Sequence, residues 1–170
     1  MIEIRAARSD DLPAIFEIIN DSARAYEGVI PDAAWHEPYM PMDHLQSEIA
    51  KNVRFYCCDL DGRTMGVMGI QDVKDVTLVR HAYVRTESRG QGIGRALLES
   101  ITGLTSRPVL IGAWKAATWA IRFYQTNGFT LLDEVTKNRL LQTYWTISPF
   151  QAQESVVLAD RRWMEQAVRQ

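Results

Sequence analysis

The residues with the clearest chemical meaning are Arg89-Gly90-Gln91-Gly92-Ile93-Gly94-Arg95. They follow the strand-like His81-Ala82-Tyr83-Val84 through Arg85-Thr86-Glu87-Ser88 and run straight into helical spacing. Glycine lets backbone approach a ligand closely and adopt positive φ. Free N–H groups at a helix N-terminus, with its positive dipole end, favour a phosphate. The turn at 89–95 therefore reads as a phosphate or pyrophosphate cradle, with Arg89 and Arg95 adding positive charge. Two common nucleotide fingerprints do not fit. G-x-G-x-x-G would need glycine where Arg95 stands, and a P-loop would need Lys-Ser/Thr where Arg95-Ala96 stand. A tight strand-to-helix turn without a ligand is the other reading.

Metal and redox chemistry fail on spacing. His36-Glu37 starts like H-E-x-x-H, but the second histidine would fall at Met40, and Pro38 breaks the helix that pattern demands. With three histidines and no clustered cysteines, no metal site is expected. Cys57 and Cys58 are adjacent, so in one strand they point to opposite faces and cannot staple distant segments. They read as small apolar residues in a reduced compartment. Asn20-Asp21-Ser22 fits a glycosylation acceptor by letter, but Met1-Ile2-Glu3-Ile4-Arg5 does not open a secretion signal. A cytoplasmic location is the expectation.

The turn needs a strand before it and a helix behind it, and the pattern supplies both. Val76 to Val84 reads as the strand, the last of three strand-like runs after Arg54 to Leu60 and Thr64 to Asp72. Asp61-Gly62 marks a hairpin between the first two. Behind the turn, Ile93, Leu97, Ile101 and Leu104 share one helix face. Upstream, Ile2, Ile4 and Ala6 alternate as a strand. Ser9-Asp10-Asp11-Leu12-Pro13 then reads as a helix start with a hydroxyl N-cap, leading to Leu12, Ile15, Ile19 and Ala23 on an inward face. Between Tyr26 and Met42, Pro31, Pro38 and Pro41 forbid a long helix or a central strand, and residues 43–51 return to a short helix. Downstream the pattern predicts a strand from Pro108 to Trp114, a helix over 116–127 stopped by Asn127-Gly128, and a strand over 129–132. A helix over 135–145, a strand over 155–158 and an amphipathic tail over 160–170 follow. Strands mixed with helices make this α/β or α+β.

Composition bounds the function. At 170 residues, 46% hydrophobic and 24% charged, the chain is an ordinary globular protein, read as one domain without a linker or repeat. Nineteen Lys+Arg against 21 Asp+Glu leave no basic surplus for nucleic acid. No run of 18 or more apolar residues is present, so no membrane partner is expected.

Three motifs in order add a resemblance. Arg89-Gly90-Gln91-Gly92-Ile93-Gly94 matches the Q/R-x-x-G-x-G/A motif of the GNAT N-acetyltransferase superfamily. The flanking Ala82-Tyr83-Val84 and Arg95-Ala96-Leu97-Leu98 are similar to the same family. Ala120-Ile121-Arg122-Phe123-Tyr124 followed by Gly128-Phe129 resembles its A-x-x-x-Y…G-F signature, and Arg8 to Ile15 resembles its first helix start. The resemblance spans residues 1–159 and is strongest over 76–130.

The resemblance implies a GNAT-like single domain over 1–170, with a core at 1–159 and a helical tail at 160–170. Its sheet would be mixed, mostly antiparallel and flanked by helices. It implies acetyl-CoA as co-substrate, with Arg89, Gly90, Gln91, Gly92, Ile93, Gly94 and Arg95 at the pyrophosphate. Backbone at Tyr83 and Val84 would pair with the pantetheine arm as an added strand does. Ala120 and Tyr124 would also touch the donor. Tyr124 is the expected proton donor to the leaving thiolate, its ordinary pKa of about 10 lying near the thiol's 8.5 or so. Some relatives carry the base on the central strand, where this chain has Leu78 and Arg80. His81 points to the opposite face and reads as a satisfied buried histidine. Glu37, His36, Asp72 and a water chain are the other candidates for the base. Ala117 stands where many relatives place an Asn. Tyr26, Trp35, His36, Tyr39 and Met40 form a proline-stiffened aromatic loop suited to an acceptor wall, or to capping the core. Trp114 and Trp119 could line the same cleft or pack; Tyr144 and Trp145 could do either or serve a homodimer contact. The implied activity is direct acetyl transfer to a primary amine of a small molecule or amino-acid-like acceptor. Protein N-terminal or lysine acetylation, and a non-catalytic CoA-binding module, are the alternatives.

Overall fold

A computed structural model describes residues 1–170. Its strands are β1 (Ile2–Ala6), β2 (Arg54–Leu60), β3 (Arg63–Val73), β4 (Val76–Val84), β5 (Val109–Trp114), β6 (Thr130–Leu131) and β7 (Ser155–Ala159). Their order in the sheet is β1-β2-β3-β4-β5-β7-β6. The helices are α1 (Leu12–Ala23), α2 (Met42–Ala50), α3 (Ile93–Gly103), α4 (Thr118–Thr126), α5 (Glu134–Tyr144), α6 (Pro149–Gln153) and α7 (Arg161–Val168). The β1–β2, β2–β3, β5–β7 and β6–β7 pairs are antiparallel. This is the α/β fold with a mostly antiparallel, helix-flanked sheet that the sequence implies. Two compact units divide the chain: Met1–Gln71 with Val79–Thr105, and Asp72–Leu78 with Ser106–Gln170.

In the first unit, Asp61 (φ 51°) and Gly62 (φ 80°) turn the β2–β3 hairpin, both left-handed as a two-residue loop requires. Ile15, Ile18 and Ile19 of α1 and Leu45 of α2 form a buried cluster with Phe55 and Cys57 of β2 and Val67 of β3. The opposite face is covered by α3: a Cβ on Gly66, the register partner of Cys58, would lie 2.6 Å from Ile93 Cγ2. With both faces covered, Cys57 and Cys58 are both buried and free. Burial pushes the Cys57 thiol up to about 11 and the Cys58 thiol upward too, so neither ionises readily.

Two local expectations are corrected here. Ser9 does not cap α1 with its hydroxyl; a 3₁₀ turn, Ser9–Asp11, precedes the helix, and the Asp11 carboxylate accepts Arg8 N–H at 2.6 Å. Arg5 also binds Asp11 and Asp59, each at 2.7 Å, tying β1, β2 and the start of α1 together. Leu104 is 60% exposed because α3 stops at Gly103, one residue before the stripe would continue.

In the second unit, Leu110, Leu140, Leu141, Val157 and Ala159 share a buried cluster, against which Trp163 and Met164 of α7 pack. Asp133, Ser148 and Asp160 cap α5, α6 and α7. Gly128 (φ 90°) ends the chain path of α4. The strand expected over 129–132 shortens to two residues, and α6 is a helix that the sequence pattern did not predict. Trp145 lies over Gly112, where an added Cβ would come within 3.3 Å of the indole. Tyr144 Oη donates to Asp75 at 2.6 Å.

Candidate active site

The glycine turn has the geometry that its composition suggests. Gly90 and Gly92 take φ of 78° and 80°, and a Cβ added at either would meet nothing within 4 Å. Conformation rather than crowding therefore selects glycine, and open space lies beside the backbone. Gly92 is the N-cap of α3, and no side chain caps the helix. The first turn's N–H groups therefore lack a side-chain partner. Gly90, Gln91 and Gly92 are exposed, while the Ile93 side chain is buried beneath the turn.

The two arginines are engaged by their own chain. Arg89 Nη2 donates to Ser22 O at 3.0 Å, and Arg95 Nε donates to Glu99 at 2.7 Å. What the turn offers a ligand directly is its backbone. The segment before the turn is anchored as well. Asp21 accepts Thr86 N–H at 2.8 Å, a contact that holds its carboxyl below the usual range. Arg85 is buried, donates to Thr64 O at 3.0 Å and pairs with Glu17.

A cavity of about 710 Å³ opens between α1 and the 31–42 loop. Its apolar wall is Pro13, Phe16, Trp35, Pro38, Tyr39 and Met42. Its polar wall is Asn20 with Glu17, Asp21, Glu37, Arg24 and Arg85. Trp35 and Tyr39 stack with ring centroids 6.0 Å apart at 19°. Of the five loop residues expected at the acceptor wall, Trp35 and Tyr39 line this cavity, Tyr26 and His36 pack against Tyr39 at 5.3 and 6.2 Å between centroids, and Met40 is instead buried in the core cluster of the first unit. His36 Nδ1 is 2.7 Å from Pro38 O. Tyr26 also meets Tyr83 edge-on at 6.4 Å, so an aromatic chain runs from β4 to the cavity wall. Arg85, which the sequence reading left without a role, is the first residue beyond β4 and lines the same cavity.

His81 lies on the same face of β4 as Tyr83 and stacks on Phe55 at 5.7 Å. It is not the satisfied histidine expected: its buried Nε2 has only a long contact, 3.7 Å, to Glu48 Oε1. Glu48, on α2, is buried between His81, Arg80 Nη2 at 3.3 Å and His44 Nε2 at 3.3 Å. His81 first, then Arg80 and His44, outweigh burial and hold its carboxyl at about 2. Burial in turn pushes the His81 imidazole below its usual value.

In the second unit, Tyr124 of α4 is buried and edge-packed against Phe123 and Phe129 at 5.3 and 6.2 Å. Burial pushes its phenol well above the usual value, so it stays protonated. Ala120 lies half-buried on the same helix, and Ala117 is its buried N-cap residue. Asp72 accepts Thr77 Oγ1–H at 2.7 Å. Trp119 is 43% exposed. Trp114 ends β5. No group of three or more His, Cys, Asp or Glu is placed to hold a metal ion.

The glycine turn, β4 and Tyr124 all fall within residues 51–131, which match the family model of the acetyltransferase (GNAT) domain. Over that segment the chain is similar to a GNAT acetyltransferase domain. It is 23% identical over 145 residues to the peptidyl-lysine N-acetyltransferase YiaC of Escherichia coli K12, covering 85% of this chain and 94% of that protein. Its fold is similar to that of the PaiA N-acetyltransferase of Thermoplasma acidophilum, solved with coenzyme A. That likeness has a TM-score of 0.70 at 20% identity and covers 94% of this chain and 98% of the other. The ribosomal-protein-S18-alanine N-acetyltransferase of Escherichia coli is similar at TM-score 0.64 and 18% identity, covering 94% and 93%. The cavity wall is mostly outside the matched segment: eleven of its twelve residues precede residue 51. No helix is long and apolar enough to cross a membrane.

Proposed function

We propose that this GNAT domain transfers an acetyl group from acetyl-CoA directly to a primary amine of a small molecule or amino-acid-like acceptor. The observation that carries the reading is the cavity beside Arg85. It opens at the end of β4, next to the strand whose Tyr83 and Val84 the family resemblance assigns to the donor arm. The left-handed Gly90 and Gly92 and the uncapped N-terminus of α3 fit a pyrophosphate without any side chain moving aside.

The chemistry balances on few groups. A neutral amine nitrogen forms the new C–N bond to the thioester carbonyl carbon as its N–H proton leaves. The C–S bond then breaks, and the thiolate takes a proton. In this reading Tyr124 donates that proton; burial holds the phenol protonated while making it a weaker acid toward the thiolate. Among the candidates for the base, Glu37 stands on the cavity wall, whereas His36 is tied to Pro38 O and Asp72 to Thr77.

The reading also takes residues 1–170 as one working domain in the cytoplasm. Trp163 and Met164 packing into the second unit's core support counting 160–170 as part of it. A protein acceptor is the second reading, supported by the peptidyl-lysine and ribosomal-protein substrates in the two relatives' names. Release of free CoA thiol from acetyl-CoA, followed with a panel of small amines and lysine peptides, tests both. Amine-dependent release is expected, and release no faster than the amine-free background with every acceptor would leave only a CoA-binding module.

A further inference from the structure

The cavity's charges do not cancel, and the remainder names an acceptor. Glu17 is answered by Arg85. Asp21 is answered by Thr86 N–H and by the nearby Arg24, both of which lower its pKa. Glu37, the third carboxylate on the wall, makes no hydrogen bond or ion pair. Glu37, Trp35 and Tyr39 line the one cavity, so an unanswered carboxylate shares its wall with the stacked Trp35 and Tyr39 rings. Phe16 and Met42 extend the apolar wall.

A carboxylate next to aromatic faces is chemistry for an ammonium group. The anion pairs with the positive charge, and the ring quadrupoles attract it further. The same stacked rings offer a flat surface to an apolar or aromatic body. At about 710 Å³ the cavity is large enough for such a body as well as for its amine. Asp21 and Glu17 are already engaged, so a second and third ammonium would find no free carboxylate here.

We infer that the acceptor is a monoamine with an aromatic or flat apolar body, and that Glu37 pairs with its ammonium. This deepens the acetyltransferase reading and rests on it for the transfer step, but not for the binding step. Selection follows from the walls. A neutral alcohol of the same shape loses the Glu37 pair. An added α-carboxylate brings a like charge toward Glu37. A linear polyamine leaves the ring faces uncovered.

The test is calorimetric binding of 2-phenylethylamine to the full chain, with 2-phenylethanol, phenylalanine and spermidine as comparison ligands, repeated in E37Q. Glu37 is exposed and makes no hydrogen bond or ion pair, so E37Q keeps the fold. Losing a charge-assisted pair should weaken amine binding by about ten- to a hundredfold in E37Q. Acetyl-CoA affinity should stay unchanged. The expected order is 2-phenylethylamine tightest, with each comparison ligand at least about tenfold weaker. Equal binding of 2-phenylethanol, or an E37Q that binds the amine as the natural protein does, overturns the proposal. So does tighter binding of spermidine or phenylalanine. Amine binding in a protein that ignores acetyl-CoA keeps the cavity assignment and overturns only the donor reading.

Discussion

Arg85, one residue past β4, pairs its Nη1 with Oε1 of Glu17 on α1, and both side chains line the same cavity. The pair joins the end of β4 to α1 across the cavity wall. Its two ends are unequal, because Arg85 is buried and also holds Thr64 O, whereas the Glu17 side chain is 65% exposed. Arg85→Ala strands a carbonyl and opens a void, so it should cost about 1–3 kcal/mol. Glu17→Ala removes a solvent-screened partner and should cost less than about 1 kcal/mol. Urea unfolding of the two variants checks this; equal losses would show that the ion pair alone matters.

The glycine turn gives a second prediction. Gly92→Ala places a Cβ in open space but at φ 80°, so the cost is conformational, about 1–2 kcal/mol. It should also weaken acetyl-CoA binding, since the α3 N-terminus would shift. Gly103→Ala also meets nothing within 4 Å and has no positive φ. It should therefore stabilise by about 0.4–1 kcal/mol through the unfolded chain. Thermal melts with and without acetyl-CoA separate the two effects.

Much of this frame was legible from local pattern. Period-2 and period-3.6 spacing, Asp61-Gly62 and Asn127-Gly128 place nearly every element to within a few residues. What escaped depends on tertiary neighbours. Glu48 and Arg80 are 32 positions apart, and only folding brings α2 against β4 to bury Glu48 beside His81. Arg85 reads as an ordinary loop cation until its burial is seen. The order within the aromatic loop, with Trp35 and Tyr39 in front and Tyr26 and His36 behind, is set by ring packing that spacing does not encode. By contrast, α6 had a local signal, a Ser148 cap followed by Pro149.

Acid stability should carry the signature of Glu48 and His81. The Glu48 carboxyl is held at about 2 in the folded chain, against an ordinary 4.5. Its contribution is complete above pH 4.5 and is lost as pH falls toward 2. The His81 pKa is lowered from 6.5 by burial, so the unfolded chain binds a proton that the folded chain resists. Stability therefore also falls as pH drops below 6.5. Both slopes have the same sign, and stability should rise from pH 3 to pH 7. Glu48→Gln should flatten the limb below 4.5, and His81→Gln the limb just below 6.5. Urea midpoints across that range are the check, and an unchanged slope in Glu48→Gln would rule out this source.

Tyr124→Phe separates an enzyme from a binding module. The buried ring keeps its packing against Phe123 and Phe129, so the fold should hold. With Tyr124 as the proposed proton donor, the variant should lower kcat by about 10²–10⁴ with acetyl-CoA affinity retained. Steady-state rates and circular dichroism on the same sample decide it.

Calorimetric titration of the purified chain with acetyl-CoA, with CoA, NAD and ATP as controls, bears on the central claim most directly. Saturable one-site binding of acetyl-CoA and CoA, with no heat from NAD or ATP, is the predicted result. Folded protein that binds neither CoA species would contradict the donor assignment and return residues 89–95 to a structural turn.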